Sequence, residues 1–284
     1  MRMVKGDGVG LAVYEQGDPA NPTLVLVHGY PDDHTVWEPV AVRLAESFHV
    51  VTYDVRGAGS SDRPRGREPY GFAHLMADLR AVIDAVSPGE RVHLAGHDWG
   101  SIQGWEAVCT MPELFASYTS ISGPCLDHIG HWTRTAGRLR TVRQTLSSWY
   151  IGFFRLPVLP ELAWRSGLGG RLLARAERHR PSDRIDAVAG LELYRANIPA
   201  RLRQPRERRT PVPVRLVVPL MDAYVRPETA ETALRWAPVV DVHRVRARHW
   251  IPLSHPDLVA RLVGEHARRH PGPGLPGSAP EFTS

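Results

Sequence analysis

The chain has 284 residues, 43% apolar and 23% charged, which excludes wholesale disorder, a collagen-like repeat and a coiled coil. Its formal net charge is +5, and Lys5 is the only lysine among 35 basic residues. No apolar run approaches the ~20 residues that cross a bilayer, so no membrane span is expected, and the N-terminus Met1-Arg-Met-Val-Lys-Gly-Asp-Gly lacks the apolar core of a secretory signal.

In chain order, Leu24–Val27 is a continuous apolar run, as expected of a strand covered on both faces. Val50–Tyr53 and Val92–Ala95 read the same way, and a further strand is expected over 117–123. Helical stretches fall at 35–46 and 70–86; in the second, Phe72, Leu75, Leu79, Val82, Ile83 and Val86 share one face. Strand and helix in this rhythm predict an α/β fold with a mostly parallel, doubly wound sheet. The rhythm breaks over 125–211, where helical stretches dominate. After Pro211-Val-Pro213 a strand resumes at Val214–Val218, followed by a helix near 227–236, a strand near 239–245 and a helix near 256–270. The expected organisation is a core in two parts, 1–124 and 212–270, with a helical cap, 125–211, inserted between them. The tail 271–284 is rich in proline and glycine and is expected to be disordered.

The excess charge has an address. Residues 125–211 hold 17 arginines against 7 acidic residues, a net +10 that leaves the remainder at −5. The plain reading is a solvated surface; the sharper one is a rim that attracts an anionic or carrier-bound small-molecule substrate. Nucleic acid is not expected, because no recognisable binding module accompanies the charge. Cys109 and Cys125 form neither a CxxC motif nor a disulfide framework, so reduced thiols and a cytoplasmic location are expected. No CxxC, HExxH or P-loop pattern appears, so neither metal nor cofactor is expected.

The strand ending at Ala95 runs into Gly96-His97-Asp98-Trp99-Gly100. This is the small-x-nucleophile-x-small turn between a strand and a helix, with aspartate in the place usually taken by serine. His28-Gly29-Tyr30-Pro31 directly follows the first strand, and Asp54-Val-Arg-Gly-Ala-Gly-Ser-Ser-Asp62 follows the second. On these residues the chain resembles the α/β-hydrolase superfamily, in its epoxide hydrolase and haloalkane dehalogenase branch, over roughly residues 10–270. The resemblance implies an α/β-hydrolase fold in which Asp98 forms an alkyl ester. It implies an oxyanion hole made by the backbone N–H groups of Tyr30 and Trp99, a cis bond before Pro31, and a structural role for His28 and the Asp54–Asp62 turn.

An ester on Asp98 needs a base, and histidine suits neutral pH. His249, in Arg248-His249-Trp250, matches the family's base; His243 and His255 read as structural. Asp222, after the Val214–Val218 strand, is the expected acid, and Asp127 is its rival. Pro219 and Arg248 depart from the glycines usual in those loops. Two cap patterns, Tyr150-Ile-Gly-Phe-Phe154-Arg-Leu-Pro157 and Gly190-Leu-Glu-Leu-Tyr194-Arg-Ala-Asn197, resemble those that carry the ring-opening tyrosines of epoxide hydrolases. Trp99, Phe154 and Trp250 are expected to contact substrate. The implied reaction is epoxide to vicinal diol. Alternatives are opening by a non-water nucleophile such as a substrate amine, dehalogenation, and a non-catalytic binding protein on the same fold; a conventional esterase is disfavoured by Asp98. Stretches His97–Gln103, Ser120–His128 and Asp186–Asn197 also resemble the hydrolase half of actinobacterial fusions to a short-chain dehydrogenase, with the proline-glycine tail in the linker position.

Overall fold

The computed structural model describes residues 1–179, 183–237 and 240–272. The first residue of the strand expected at 239–245 and nearly all of the tail expected at 271–284 lie outside them. Among the described residues, eight strands form one sheet: β1 (Arg2–Lys5), β2 (Gly10–Gln16), β3 (Thr23–Val27), β4 (His49–Tyr53), β5 (Val92–His97), β6 (Phe115–Ile121), β7 (Val214–Pro219) and β8 (Val240–Val245). Their order is β1-β2-β4-β3-β5-β6-β7-β8, with β2 antiparallel to its neighbours and β3 to β8 mutually parallel.

Strands β3 to β7 are buried at every position, which is why β3 reads as a continuous apolar run and why even the hydroxyl-rich β6 carries no charged residue. The period of two then sorts their side chains between two cores. Val25 and Val27 of β3 and Val51 and Tyr53 of β4 face one core, shared with α2 (Phe72–Val86) and α3 (Trp99–Thr110). Leu24, Leu26 and Val50 face the other, shared with α1 (Glu38–Leu44) and the C-terminal helix. Strands β1 and β2 were not expected; β1 is a mostly exposed edge strand whose charged ends hide its pattern.

Among the described residues, seven helices lie between β6 and β7: α4 (Leu126–Thr135), α5 (Arg138–Ser147), α6 (Trp149–Phe154), α7 (Leu159–Arg165), α8 (Leu168–Glu177), α9 (Arg184–Ala189) and α10 (Leu191–Arg203). After β7 come α11 (Pro227–Ala230), α12 (Ile251–Ser254) and α13 (Pro256–Arg269). Three boundaries differ from expectation. The stretch 35–46 is a 3-10 turn, His34–Trp37, and then α1. Strand β6 stops at Ile121 because Ser122 takes φ +52° and cannot continue it. The helix expected at 227–236 is four α residues followed by a 3-10 turn, Glu231–Arg235. No helix among the described residues is long and apolar enough to cross a membrane.

The chain leaves β3 for β4 on one side and returns to β5 on the other, so the order reverses between β3 and β5. In open α/β sheets, such a reversal opens a crevice at the carboxyl ends of the strands. The loop after β3 and the turn after β5 meet there. Asp98, in that turn, has φ +53° and ψ −120°, a conformation that costs an L-residue about 1–3 kcal/mol. Glycine makes the turn possible: a Cβ on Gly100 would lie 2.0 Å from the Val27 carbonyl oxygen, and one on Gly29 would lie 2.5 Å from the Asp98 Cβ. Gly100→Ala is expected to destabilise the protein by about 2–3 kcal/mol, read as a lowered denaturation midpoint; an unchanged midpoint would refute the steric account.

Candidate active site

The turn residues hold Asp98 from both sides. Its amide donates to the Ile121 carbonyl at 3.0 Å, and its carbonyl accepts from Ile102 at 3.0 Å. The Tyr30 amide donates to Asp98 Oδ1 at 2.8 Å. Tyr30 precedes a cis peptide bond to Pro31. Trp99 opens α3, so its N–H belongs to the helix's first turn, which has no intrahelical acceptor. His28 braces this loop: its Nδ1 donates to the Gly29 carbonyl, and its Nε2 accepts from the Val55 amide at 2.9 Å. The Asp54 carboxylate accepts from the His34 and Ser60 amides, folding the Asp54–Asp62 turn around itself.

His249 stands on the other side of Asp98. Its Nε2 lies 3.5 Å from Asp98 Oδ2, and its Nδ1 donates to Asp222 Oδ2 at 2.8 Å. The other Asp222 oxygen accepts from the Tyr224 and Val225 amides at 2.8 and 2.9 Å. Burial alone would push the His249 imidazole down, but the two carboxylates, Asp222 first, outweigh it and raise it to about 10. Burial alone would raise the Asp222 carboxyl; His249 and the two amides hold it below its ordinary range. Asp127, the rival acid, pairs with Arg201 at 2.9 Å and Arg208 at 3.3 Å and accepts from the Arg206 amide, away from His249. The two departures leave the contact intact. Pro219 ends β7 and accepts from the Asp222 amide, and the Arg248 side chain turns away to donate to the Ala176 carbonyl of α8.

A cavity of about 360 Å³ opens over Asp98, between the sheet and the helical insertion. Asp98, His249, Tyr150, Tyr194, Phe154 and Trp250 all line it, although their sequence positions span more than half the chain. A second chamber, about 250 Å³, shares Asp98, Tyr150 and Tyr194 and adds Trp99. The Tyr150 and Tyr194 rings meet edge to face, with centroids 6.2 Å apart. Burial, and then the Asp98 charge, push both phenols well above the usual range, so both stay protonated. The Trp99 and Tyr194 rings pack edge to face, with centroids 5.0 Å apart.

Three further residues belong to this site and were not singled out from the sequence. Tyr224 lines both chambers and packs edge to face on Tyr150 and His249. His97 is fully buried and donates from Nε2 to the His249 carbonyl at 2.9 Å; burial lowers it to about 4, so it is neutral. Its place beside Asp98 was visible in the elbow motif. Asp32 accepts from the Trp250 indole at 2.8 Å and pairs with His179 of the insertion, an arrangement with no local sequence signal.

This geometry accompanies a match of residues 22–256 to the family model described as the alpha/beta hydrolase fold. The chain belongs to the α/β-hydrolase fold family. It is 38% identical to "Probable oxidoreductase EphD" of Mycobacterium tuberculosis over 92% of its own length, and it spans about half (48%) of that relative. It is 37% identical to "Epoxide hydrolase A" of the same organism over 44% of the chain and 39% of that protein. A mutant of an epoxide hydrolase from Bacillus megaterium, solved with its product (R)-3-[1]naphthyloxy-propane-1,2-diol, superimposes with a TM-score of 0.80 at 22% identity, covering 94% of this chain and all of that one. That last likeness is one of fold.

If both carboxylates hold the imidazole up, neutralising either one lowers it. Asp222→Asn is expected to lower the His249 titration further than Asp98→Asn does, measured by NMR of the ring carbons. An unmoved midpoint in both variants would contradict the assignment.

Proposed function

We propose that this α/β hydrolase is an epoxide hydrolase acting through an Asp98 ester. The observation that carries the reading is the single cavity in which a carboxylate, an imidazole with its own acid, and two protonated phenols converge. Asp98 attacks an epoxide carbon. The carbon–oxygen bond breaks, and Tyr150 and Tyr194 donate to the departing oxygen, which takes up a proton and stays on the substrate as a hydroxyl. The Trp99 ring packs edge to face on Tyr194, and both phenols keep their protons for the substrate.

Esterification removes the negative charge of Asp98. The imidazole then has one carboxylate partner instead of two and its proton affinity falls; it gives up its Nε2 proton, which replaces the one the tyrosines passed to the ring-opened oxygen, and the neutral His249 can then take a proton from water while Asp222 holds its tautomer. The hydroxide formed attacks the Asp98 carbonyl, and the Tyr30 N–H, already 2.8 Å from Oδ1, stabilises the oxyanion together with the Trp99 N–H. Collapse releases a vicinal diol and restores the carboxylate with one oxygen from solvent. Phe154 and Trp250 supply apolar wall on either side. The helical insertion acts as the cap, with 125–211 as its bounds. Cys109 and Cys125 are unpaired and pushed up by burial, which suits a reducing, cytoplasmic setting.

Single turnover in ¹⁸O-water is expected to put solvent oxygen into Asp98, while the first-turnover diol carries the old carboxylate oxygen. An unlabelled enzyme would sink the ester. His249→Gln is expected to accumulate the ester by intact mass, and Tyr194→Phe to slow ring opening by about 10²-fold. Normal turnover in either variant would remove that residue from the mechanism.

A further inference from the structure

The arginines of the insertion fall into two populations. Arg195, Arg201 and Arg208 are partly buried and paired with Glu161, Glu192, Glu106 and Asp127. Arg138, Arg140, Arg143, Arg155, Arg171 and Arg175 are exposed, and none has a carboxylate within ion-pair distance among the described residues. The second group does not stabilise the fold through ion pairs, and it presents one sign of charge.

Between these arginines the apolar side chains also face water. On α5, Leu139, Val142 and Leu146 follow the i, i+3, i+7 spacing of one helix face and are 65%, 47% and 68% exposed. A helix of a globular protein normally turns such a stripe inward. Trp149, which follows directly, is 69% exposed, and Leu168 and Leu172 of α8 are 50% and 59% exposed. Trp149, Leu168 and Leu172 also line the cavity over Asp98, so the outer apolar surface is continuous with its mouth. Patches of this kind mark contact surfaces. An apolar helical face edged by arginines is the pattern that settles into a membrane interface, and unpaired cations favour anionic headgroups.

We propose that this face of the insertion docks on an anionic lipid surface, and that the cavity takes up an epoxide dissolved in that surface. Headgroup phosphates receive the guanidinium groups, and the acyl boundary receives the leucines and Trp149. The mouth then opens where an apolar epoxide is concentrated, and the substrate reaches Asp98 without crossing water. Docking stands on the exposed side chains alone; uptake of an epoxide rests on the hydrolase reading above.

The test is flotation of the full chain with phosphatidylcholine vesicles, with and without phosphatidylglycerol. Association is expected with the phosphatidylglycerol vesicles only, and is expected to weaken as salt rises. Arg138→Glu/Arg140→Glu/Arg143→Glu and, separately, Leu139→Ser/Leu146→Ser are expected to reduce association by about tenfold or more while retaining hydrolysis of a water-soluble epoxide. No association, association indifferent to phosphatidylglycerol or to salt, or binding to an acidic acyl carrier protein in place of vesicles would overturn the docking. Vesicle binding without turnover of any epoxide would uphold the docking and overturn the hydrolase reading; turnover without binding would do the reverse.

Discussion

His249 sits between two carboxylates, 2.8 Å from Asp222 and 3.5 Å from Asp98, and is 2% exposed. An uncompensated imidazolium could not remain charged at that depth, and without the imidazolium burial would raise the Asp222 carboxyl. The three groups stabilise one another's charge. Removing the charge of either carboxylate would lower the proton affinity of the ring between them. The surrounding polar groups serve this arrangement: two backbone amides fix Asp222, the Tyr30 amide fixes Asp98, and His97 fixes the His249 main chain.

The insertion is joined to the sheet by contacts of a different kind. Asp186 accepts from the Gly59 amide and pairs with Arg63, Asn197 bridges the Phe72 amide and the Tyr70 carbonyl, and the Tyr30 hydroxyl donates to the Ala187 carbonyl. These bonds reach α9 and α10 and keep Tyr194 buried beside Asp98. Helices α5, α6 and α8 contribute no fully buried residue among those described, and only a few, such as Tyr150, Ile151 and Leu173, pack partly against the core, so this half of the insertion is more lightly packed than the half that carries Tyr194.

Much of this was legible wherever the backbone itself restricts the residue type. The elbow glycines, the His28–Pro31 loop and the Asp54–Asp62 turn are readable because a Cβ or a lost hydrogen bond there has no room to be absorbed. The buried strands were readable because both of their faces are covered. Strand β1 was missed because an edge carries mixed side chains, β2 because its apolar run Leu11–Val13 is short and gives way to the polar Glu15 and Gln16, and the break in the 227–236 helix because a 3-10 turn uses the same apolar spacing over so few residues. Tyr224 and Asp32 were missed for another reason. Their importance comes from partners in other elements, such as Tyr150 and His179, and only the folded chain brings them together.

The pairing of Asp32 constrains how the cavity can open. One of its oxygens is held by Trp250, next to His249, and the other by His179, just past the end of α8. Lifting that end of the insertion would strip a partner from a carboxylate that is 3% exposed, and exposing a broken buried pair costs about 3–5 kcal/mol. His179 therefore works as a latch, and traffic into and out of the chamber is cheapest where the rim is lightly packed, along α5 and α6.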